Sequence, residues 1–279
     1  MATVLPRVFK ASRRAVLALP FLGTPALAAP GAEPWPLWER HDDGNRLVVD
    51  QSHWAGFLRR YVTAAGDTAN RVAYAAVTPG DRQALEADIA RITALPVSTY
   101  SRVEQRAYWI NLYNELTVAT VLAHMPVASI TKIDISPGIF SSGPWDAKLM
   151  TVEGTKLSLN DIEHRILRPI WRDPRTHYTV NCASLGCPNL MGEPYSAAAM
   201  EAMLERGARD FVNAQRGARI EGGSLVVSRI YDWYQADFGG SEAGVIAHLT
   251  RYARPELAGL LAGVKSVLRY EYDWALNKA

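Results

Sequence analysis

Both cysteines of the chain lie in one short stretch, HYTVNCASLGCPNL, residues 177–190. His177, Cys182 and Cys187 are spaced there in steps of five residues, around a turn that holds Gly186 and Pro188. A thiolate is the reactive form of cysteine, and a neighbouring imidazole both favours and uses it, so Cys with His is the minimal pair for thiol hydrolysis. On an extended strand, positions five apart point to opposite faces, so His177 reaches Cys182 only where the chain turns between them. His164 is an equal candidate base. Glu163 beside it is a weaker candidate for orienting an imidazole, since adjacent helical residues diverge by about 100°.

Three chemistries are open to this stretch. In an oxidising compartment Cys182 and Cys187 pair as a disulfide or rest as inert buried thiols. Alternatively, Cys182 is a catalytic nucleophile. In the third reading His164, His177, Cys182 and Cys187 are tetrahedral metal ligands, although the C-x2-C spacing of established zinc modules is absent. Disulfide exchange is disfavoured, because thioredoxin-like dithiols are separated by two residues and these by four. No G-x-S-x-G, Walker loop or G-x-G-x-x-G occurs, so serine hydrolysis has little support and no cofactor is expected.

The residues that must hold this stretch in place sit in a long helical pattern, VEQRAYWINLYNELTVATVLAHM, at 103–125. It is apolar round most of its circumference, which predicts a buried central helix, closed by Pro126. Asn111 and Asn114, three apart, project near one another from it, and each requires a hydrogen-bond partner or a polar cavity. An unpaired amide there costs on the order of 1–3 kcal/mol, so the 177–188 segment is expected to pack on this helix as the partner. Either Asn is then a candidate orienting or oxyanion-binding amide.

Other elements follow from periodicity and punctuation. Helices are expected near 54–61 and 79–95, and in NDIEHRILRP, where Asn160 reads as the cap, Glu163 as its capping-box partner and Pro169 as the stop. Residues 129–135, 148–152 and 177–180 read as strands, with a hairpin at Glu153-Gly154. Further helices are expected from Ser196 to about 215, at 241–252 and at 255–262, with a hairpin in ARIEGGSLVV and a strand at 267–272. A single α+β domain over 51–279, with a small and mostly antiparallel sheet, is the simplest reading. Two aromatic-acidic clusters, IYDWYQADFGG at 230–240 and YEYDWALN at 270–277, read first as core aromatics with hydrogen-bonded carboxylates. As a groove they would suit sugars or peptides, while an Asp232–Asp237 glycosidase pair has only a common spacing behind it.

Composition narrows the class. With 279 residues, 48% of them hydrophobic and 21% charged, the chain is an ordinary globular protein, and a net charge of +2 scattered among both signs argues against a nucleic-acid partner. Arg7, Lys10, Arg13 and Arg14, a short apolar run and Ala26-Leu27-Ala28 read as a bacterial-type signal peptide over 1–28, with a partial twin-arginine pattern. The mature chain, opening on an irregular lead-in at 29–50, is then expected to be periplasmic or secreted, with no membrane span after signal removal.

AYWINLYNELTVATVL, LSLNDIEHRILRP, DPRTHYTVNCASLGCPNL, SRIYDWYQADFGG and the terminal YEYDWALN, in that order, resemble the domain of unknown function 547 family, from about Trp54 to Asn277. The family's repeated positions fall on Asn111, Asn114, Glu163, His164, His177, Cys182, Ser184 and Cys187; Glu115 departs from the small residue more usual there. A family grouped around Cys, His and a buried Asn is similar to papain-like or transglutaminase-like thiol enzymes, a fold-level analogy. Retention of Cys187 beside Cys182 instead suits a disulfide or a metal. The leading expectation is a thiol hydrolase or acyl transferase acting on an amide of a peptide or a cell-wall component. The competing one is a non-catalytic exported binding or scaffold domain pinned by a Cys182–Cys187 bond.

Overall fold

The computed structural model describes residues 30–66, 68–138 and 142–279, so the signal peptide expected over 1–28 lies outside the described residues. The chain forms α1 (Ser52–Tyr61), a two-residue pair β1 (Val62–Thr63) and β2 (Arg71–Val72), α2 (Pro79–Thr93) and α3 (Arg102–Ala123). The hairpin β3 (Met150–Val152) and β4 (Thr155–Leu157) follows, then a π-helical turn, Asp161–Leu167, that runs on into α4 (Arg168–Trp171). After the cysteine loop come α5 (Met200–Val212), β5 (Ala218–Glu221), β6 (Ser224–Ser228), α6 (Ile230–Trp233), α7 (Glu242–Tyr252), α8 (Pro255–Leu261) and β7 (Val267–Glu271). This is one α+β arrangement. The sheets are small and mostly antiparallel, the exception being β7, which returns parallel to β6. Among the described residues no helix is long and apolar enough to cross a membrane.

α3 is the axis of the packing. It is buried along nearly its whole length, with one apolar cluster on its α2, β4 and α5 side and another against α1 and the chain's C-terminal end. A third cluster fills the space between α5, α7 and the β5–β6–β7 sheet. Three polar side chains of α3 bind the segment that follows α4. Arg106 reaches Thr176 Oγ1 and Asp173, both at 3.1 Å. Asn114 donates to the Thr179 carbonyl at 2.9 Å and accepts from the Asn181 amide at 2.8 Å. Asn111 makes the same two-way clamp on the Tyr195 backbone, at 2.8 and 2.9 Å. The expected partner of Asn114 is therefore supplied by the cysteine segment, one residue before Cys182, whereas Asn111 is served from beyond it. Glu115 points elsewhere, towards Asp88 and Arg91 of α2. Burial first, and Asp88 second, pushes its carboxyl well above the ordinary value.

Several local expectations are corrected. Residues 129–135 hold a 3-10 turn, Ile130–Lys132, capped by Ser129 Oγ, and not a strand. Residues 177–180 likewise contain no strand. Asp173 caps a 3-10 turn, Pro174–Tyr178, and Pro174 presets its first residue. Asn160 is not a cap: it is already helical, and the reciprocal cap is made by Ser158 and Asp161. Glu163 is thereby released from the capping role. Pro169 does not end the helix either. Proline lacks the amide that the Arg165 carbonyl would receive in an α-helix, Arg168 N passes over His164 O to reach Glu163 O, and Glu33 N and Trp35 N bind the two carbonyls left over, those of His164 and Arg165. The aligned lead-in and widened turn explain each other.

The two asparagines generate separable expectations. Asn111→Leu and Asn114→Leu should each lower unfolding free energy by about 1–3 kcal/mol, because each leaves buried backbone groups unpaired. Only Asn114→Leu should also change the rate at which iodoacetamide labels Cys182. Equal labelling rates in the two variants would contradict this division of roles.

Candidate active site

The cysteine loop is built from its own backbone and from the C-terminal strap. Asn181 accepts from Ala183 N at 2.9 Å and donates to the Pro188 carbonyl at 2.6 Å, which closes the loop over itself and holds Ala183 at a left-handed φ of 58°. Leu185 N and Gly186 N donate to the carbonyls of Ala275 and Asp273, both at 2.8 Å, and Asn277 N donates to Ala183 O at 3.0 Å. Gly186 is required for that approach, since a Cβ there would lie 2.7 Å from Asp273 N. At the loop's exit Arg216 donates to Cys187 O at 2.9 Å and to Asn189 Oδ1 at 2.8 Å.

This construction brings the two sulfurs to 3.0 Å, well outside the 2.05 Å of a disulfide, and both cysteines are free. Cys182 is half-buried and opens on a cavity of about 1220 Å³. Its Sγ lies 2.9 Å from Tyr272 Oη and 3.2 Å from Ser184 Oγ, while Ser184 and Tyr272 are bonded at 3.0 Å. Hydrogen bonds from Cys187 foremost, then Ser184 and Tyr272, stabilise the Cys182 thiolate against the cost of burial and bring its pKa below the ordinary 9.0. Cys187 is 3% exposed; burial pushes its thiol well up.

The same cavity is lined by Glu163, His164 and His177. His177 Nε2 lies 2.7 Å from Asp237 Oδ2, its Nδ1 lies 3.7 Å from Glu163 Oε1, and its ring stacks on Tyr234 with centroids 4.1 Å apart. Asp237 also receives Arg168 Nε at 2.7 Å. Burial opposes ionisation of Asp237, but its bonds from His177 and Arg168 outweigh it and hold the carboxyl far below the usual range. An ionised carboxylate only accepts, so the proton of this pair sits on His177 Nε2, while Nδ1 faces Glu163 Oε1 beyond hydrogen-bond distance. That nitrogen has no hydrogen-bond partner. His164 is arranged oppositely. Arg168 Nη1 donates to its Nδ1 at 3.0 Å, and since guanidinium never accepts, that lone pair is engaged. Burial lowers the His164 pKa, and Arg168 keeps it low. Glu163 is pushed up by its burial but held at about 2 by His164 foremost, then by His177 beside it and by the charge of Arg168.

The expected residues thus meet in one cavity, with qualifications. Among the described residues no hydrogen bond joins Cys182 to His164 or His177; its partners are Cys187, Ser184 and Tyr272. Asn111 and Asn114 do not line the cavity, being engaged with backbone. The four proposed metal ligands do not assemble: among the described residues no three His, Cys, Asp or Glu side chains are placed to share an ion. Missed by the sequence reading were Arg168, Asp237 in this role, Tyr234 and Tyr272. The aromatic-acidic segments were their visible signal. From those same segments Tyr272, Trp274 and Trp233 form, with Trp145, a continuous aromatic wall with centroids 4.6–5.7 Å apart.

A family model described as "Protein of unknown function, DUF547" matches residues 97–212, which take in every expected site residue from Asn111 to Cys187 but stop short of Asp237 and Tyr272. No curated protein and no solved structure matches the chain.

The buried charge cluster gives a pH expectation with a definite sign. Because Glu163 ionises near 2 in the folded chain and near 4.5 when unperturbed, its ionised form stabilises the fold fully above about pH 4.5, and that stabilisation is lost as pH falls towards 2. The difference in urea midpoint between the natural protein and Glu163→Gln should therefore shrink across that window. A difference that stays constant down to pH 2 would contradict the assignment.

Proposed function

We propose that the chain, whose residues 97–212 match the DUF547 family model, is a thiol-dependent acyl-transfer enzyme, a hydrolase or acyl transferase acting on an amide, with Cys182 as nucleophile. One observation carries the reading: a half-buried thiol surrounded by three S–H and O–H groups opens on the cavity that also holds His177, whose Nδ1 has no hydrogen-bond partner. Such a thiol is populated as thiolate at lower pH than an ordinary cysteine and attacks a carbonyl carbon.

In this reading the Cys182 proton is taken up at His177 Nδ1 through a bridging water or the ligand, since no direct bond joins the two. The imidazolium formed stands between the carboxylates of Asp237 and Glu163. It returns the proton to the departing amine as the tetrahedral adduct collapses to a Cys182 thioester. Water or a second nucleophile then releases the acyl group. His164, with Nδ1 engaged by Arg168, is a positioning residue, and so are Asn111 and Asn114. The aromatic wall suits a sugar ring or an apolar side chain, which supports a peptide or a cell-wall component as substrate. The leader-like pattern at 1–28 supports an exported setting, periplasmic or secreted.

Reaction with p-nitrophenyl acetate tests the proposal. We expect a burst of p-nitrophenol stoichiometric with protein, an acetyl group on Cys182 by peptide mass spectrometry, and loss of both in Cys182→Ala. His177→Gln should lower the rate of acyl-group release from Cys182 by about 100-fold or more, while leaving the thermal midpoint within a few degrees. Unchanged turnover in Cys182→Ala, or an acetyl group found only elsewhere, would overturn it.

A further inference from the structure

Acyl transfer uses Cys187 only as a hydrogen-bond partner of Cys182, yet its sulfur is held 3.0 Å from that of Cys182 by a loop closed on itself. The two thiols differ in the way a nucleophile and a resolving thiol must. Both sulfur-bearing residues line the cavity, but Cys182 is half-buried whereas Cys187 is only 3% exposed, so Cys182 is the more accessible thiol. Backbone fixes the second sulfur: Cys182 N donates to Cys187 Sγ at 2.9 Å, and Cys187 N donates to Ser184 O at 3.2 Å. Bringing the sulfurs from 3.0 Å to bonding distance requires about 1 Å of approach. The four-residue spacing that argued against exchange in the sequence is thus bridged by the Asn181 loop, which folds Cys187 back on Cys182.

We propose that Cys182 and Cys187 form a nucleophile–resolving pair for thiol–disulfide exchange, taking as substrate a small or peptide disulfide admitted to the cavity. Cys182 thiolate attacks one sulfur of R–S–S–R; a Cys182–S–S–R bond forms and RS⁻ leaves. Cys187 then loses its proton to that thiolate and attacks Cys182 Sγ. A Cys182–Cys187 bond forms, the Cys182–S–R bond breaks, and a second RS⁻ departs and is protonated from solvent. The substrate gains two electrons and the protein dithiol loses two. The lowered pKa of Cys182 and raised pKa of Cys187 agree with this order of events, since the half-buried thiol ionises before the buried one. Tyr272, 2.9 Å from Cys182 Sγ, keeps its proton because burial raises its pKa, and so remains a donor to the attacking sulfur.

Glutathione disulfide is the probe, added to the reduced full chain, with acid quenching and intact-mass analysis. The expected result is loss of both thiols and of two hydrogen masses per chain, release of two glutathiones, and no lasting adduct. Cys187→Ala, with Cys187→Ser as a second variant if the first does not fold, should accumulate a glutathione adduct on Cys182. Cys182→Ala should react at least 10-fold more slowly. A lasting adduct on Cys182 in the natural protein, no reaction, or undiminished reaction in Cys182→Ala would each overturn the proposal. The acyl-transfer reading is tested on reduced protein with an ester, so either can fail while the other stands.

Discussion

A buried amide on a buried helix is the constraint from which the site follows. Asn114 lies inside α3 where water cannot serve it, and both ends of its side chain must find partners within the protein. The backbone on either side of Val180 provides them. Because that backbone leads directly into Cys182, satisfying the amide also fixes where the thiol can stand. Arg106 and Asn111 extend the same logic along the helix, to the turn before His177 and to Tyr195 after the loop. One helix thereby holds the segment at three points, and the C-terminal strap closes over it from the other side to deliver Tyr272.

The opposite wall depends on a fault in a helix. Pro169 deprives Arg165 O of its donor, the π turn moves Arg168 N from His164 O to Glu163 O, and the lead-in residues Glu33 and Trp35 serve the two carbonyls left over. Widening and the Ser158–Asp161 cap together free Glu163 and His164 from local duties and present them to the cavity. Arg168 then sorts the cluster. Its guanidinium binds Asp237 and occupies the Nδ1 lone pair of His164, whereas His177 Nδ1 has no hydrogen-bond partner. A permanently charged group thus sets the two imidazoles apart without touching the thiol.

The legible part of this arrangement was the part set by pattern. The apolar circumference of residues 103–125 announced α3, two amides inside it demanded partners, and Cys and His in a Gly/Pro turn marked the loop. What was not legible was set by long-range geometry. A Ser158 cap and an Asn160 cap are nearly indistinguishable in sequence, and the strand expected at 177–180 yielded to a 3-10 turn because Asp173 and Pro174 start one upstream. Asp237 and Tyr272 come from segments about 60 and 90 residues away, with separations from His177 and Cys182 that no local spacing encodes. Glu115, singled out as a departure near Asn114, faces α2 instead, since adjacent helical residues diverge by about 100°.

The central claim is that Tyr272, Ser184 and Cys187 hold Cys182 as a nucleophile poised below the ordinary thiol pKa of 9.0. The most direct measurement is the rate of iodoacetamide reaction at Cys182 as a function of pH, in the natural protein and in Tyr272→Phe. A lowered pKa puts the inflection of that curve below 9, and removing one donor to the thiolate moves it upwards. An inflection at or above 9 in the natural protein, or one that Tyr272→Phe leaves unmoved, would contradict the account.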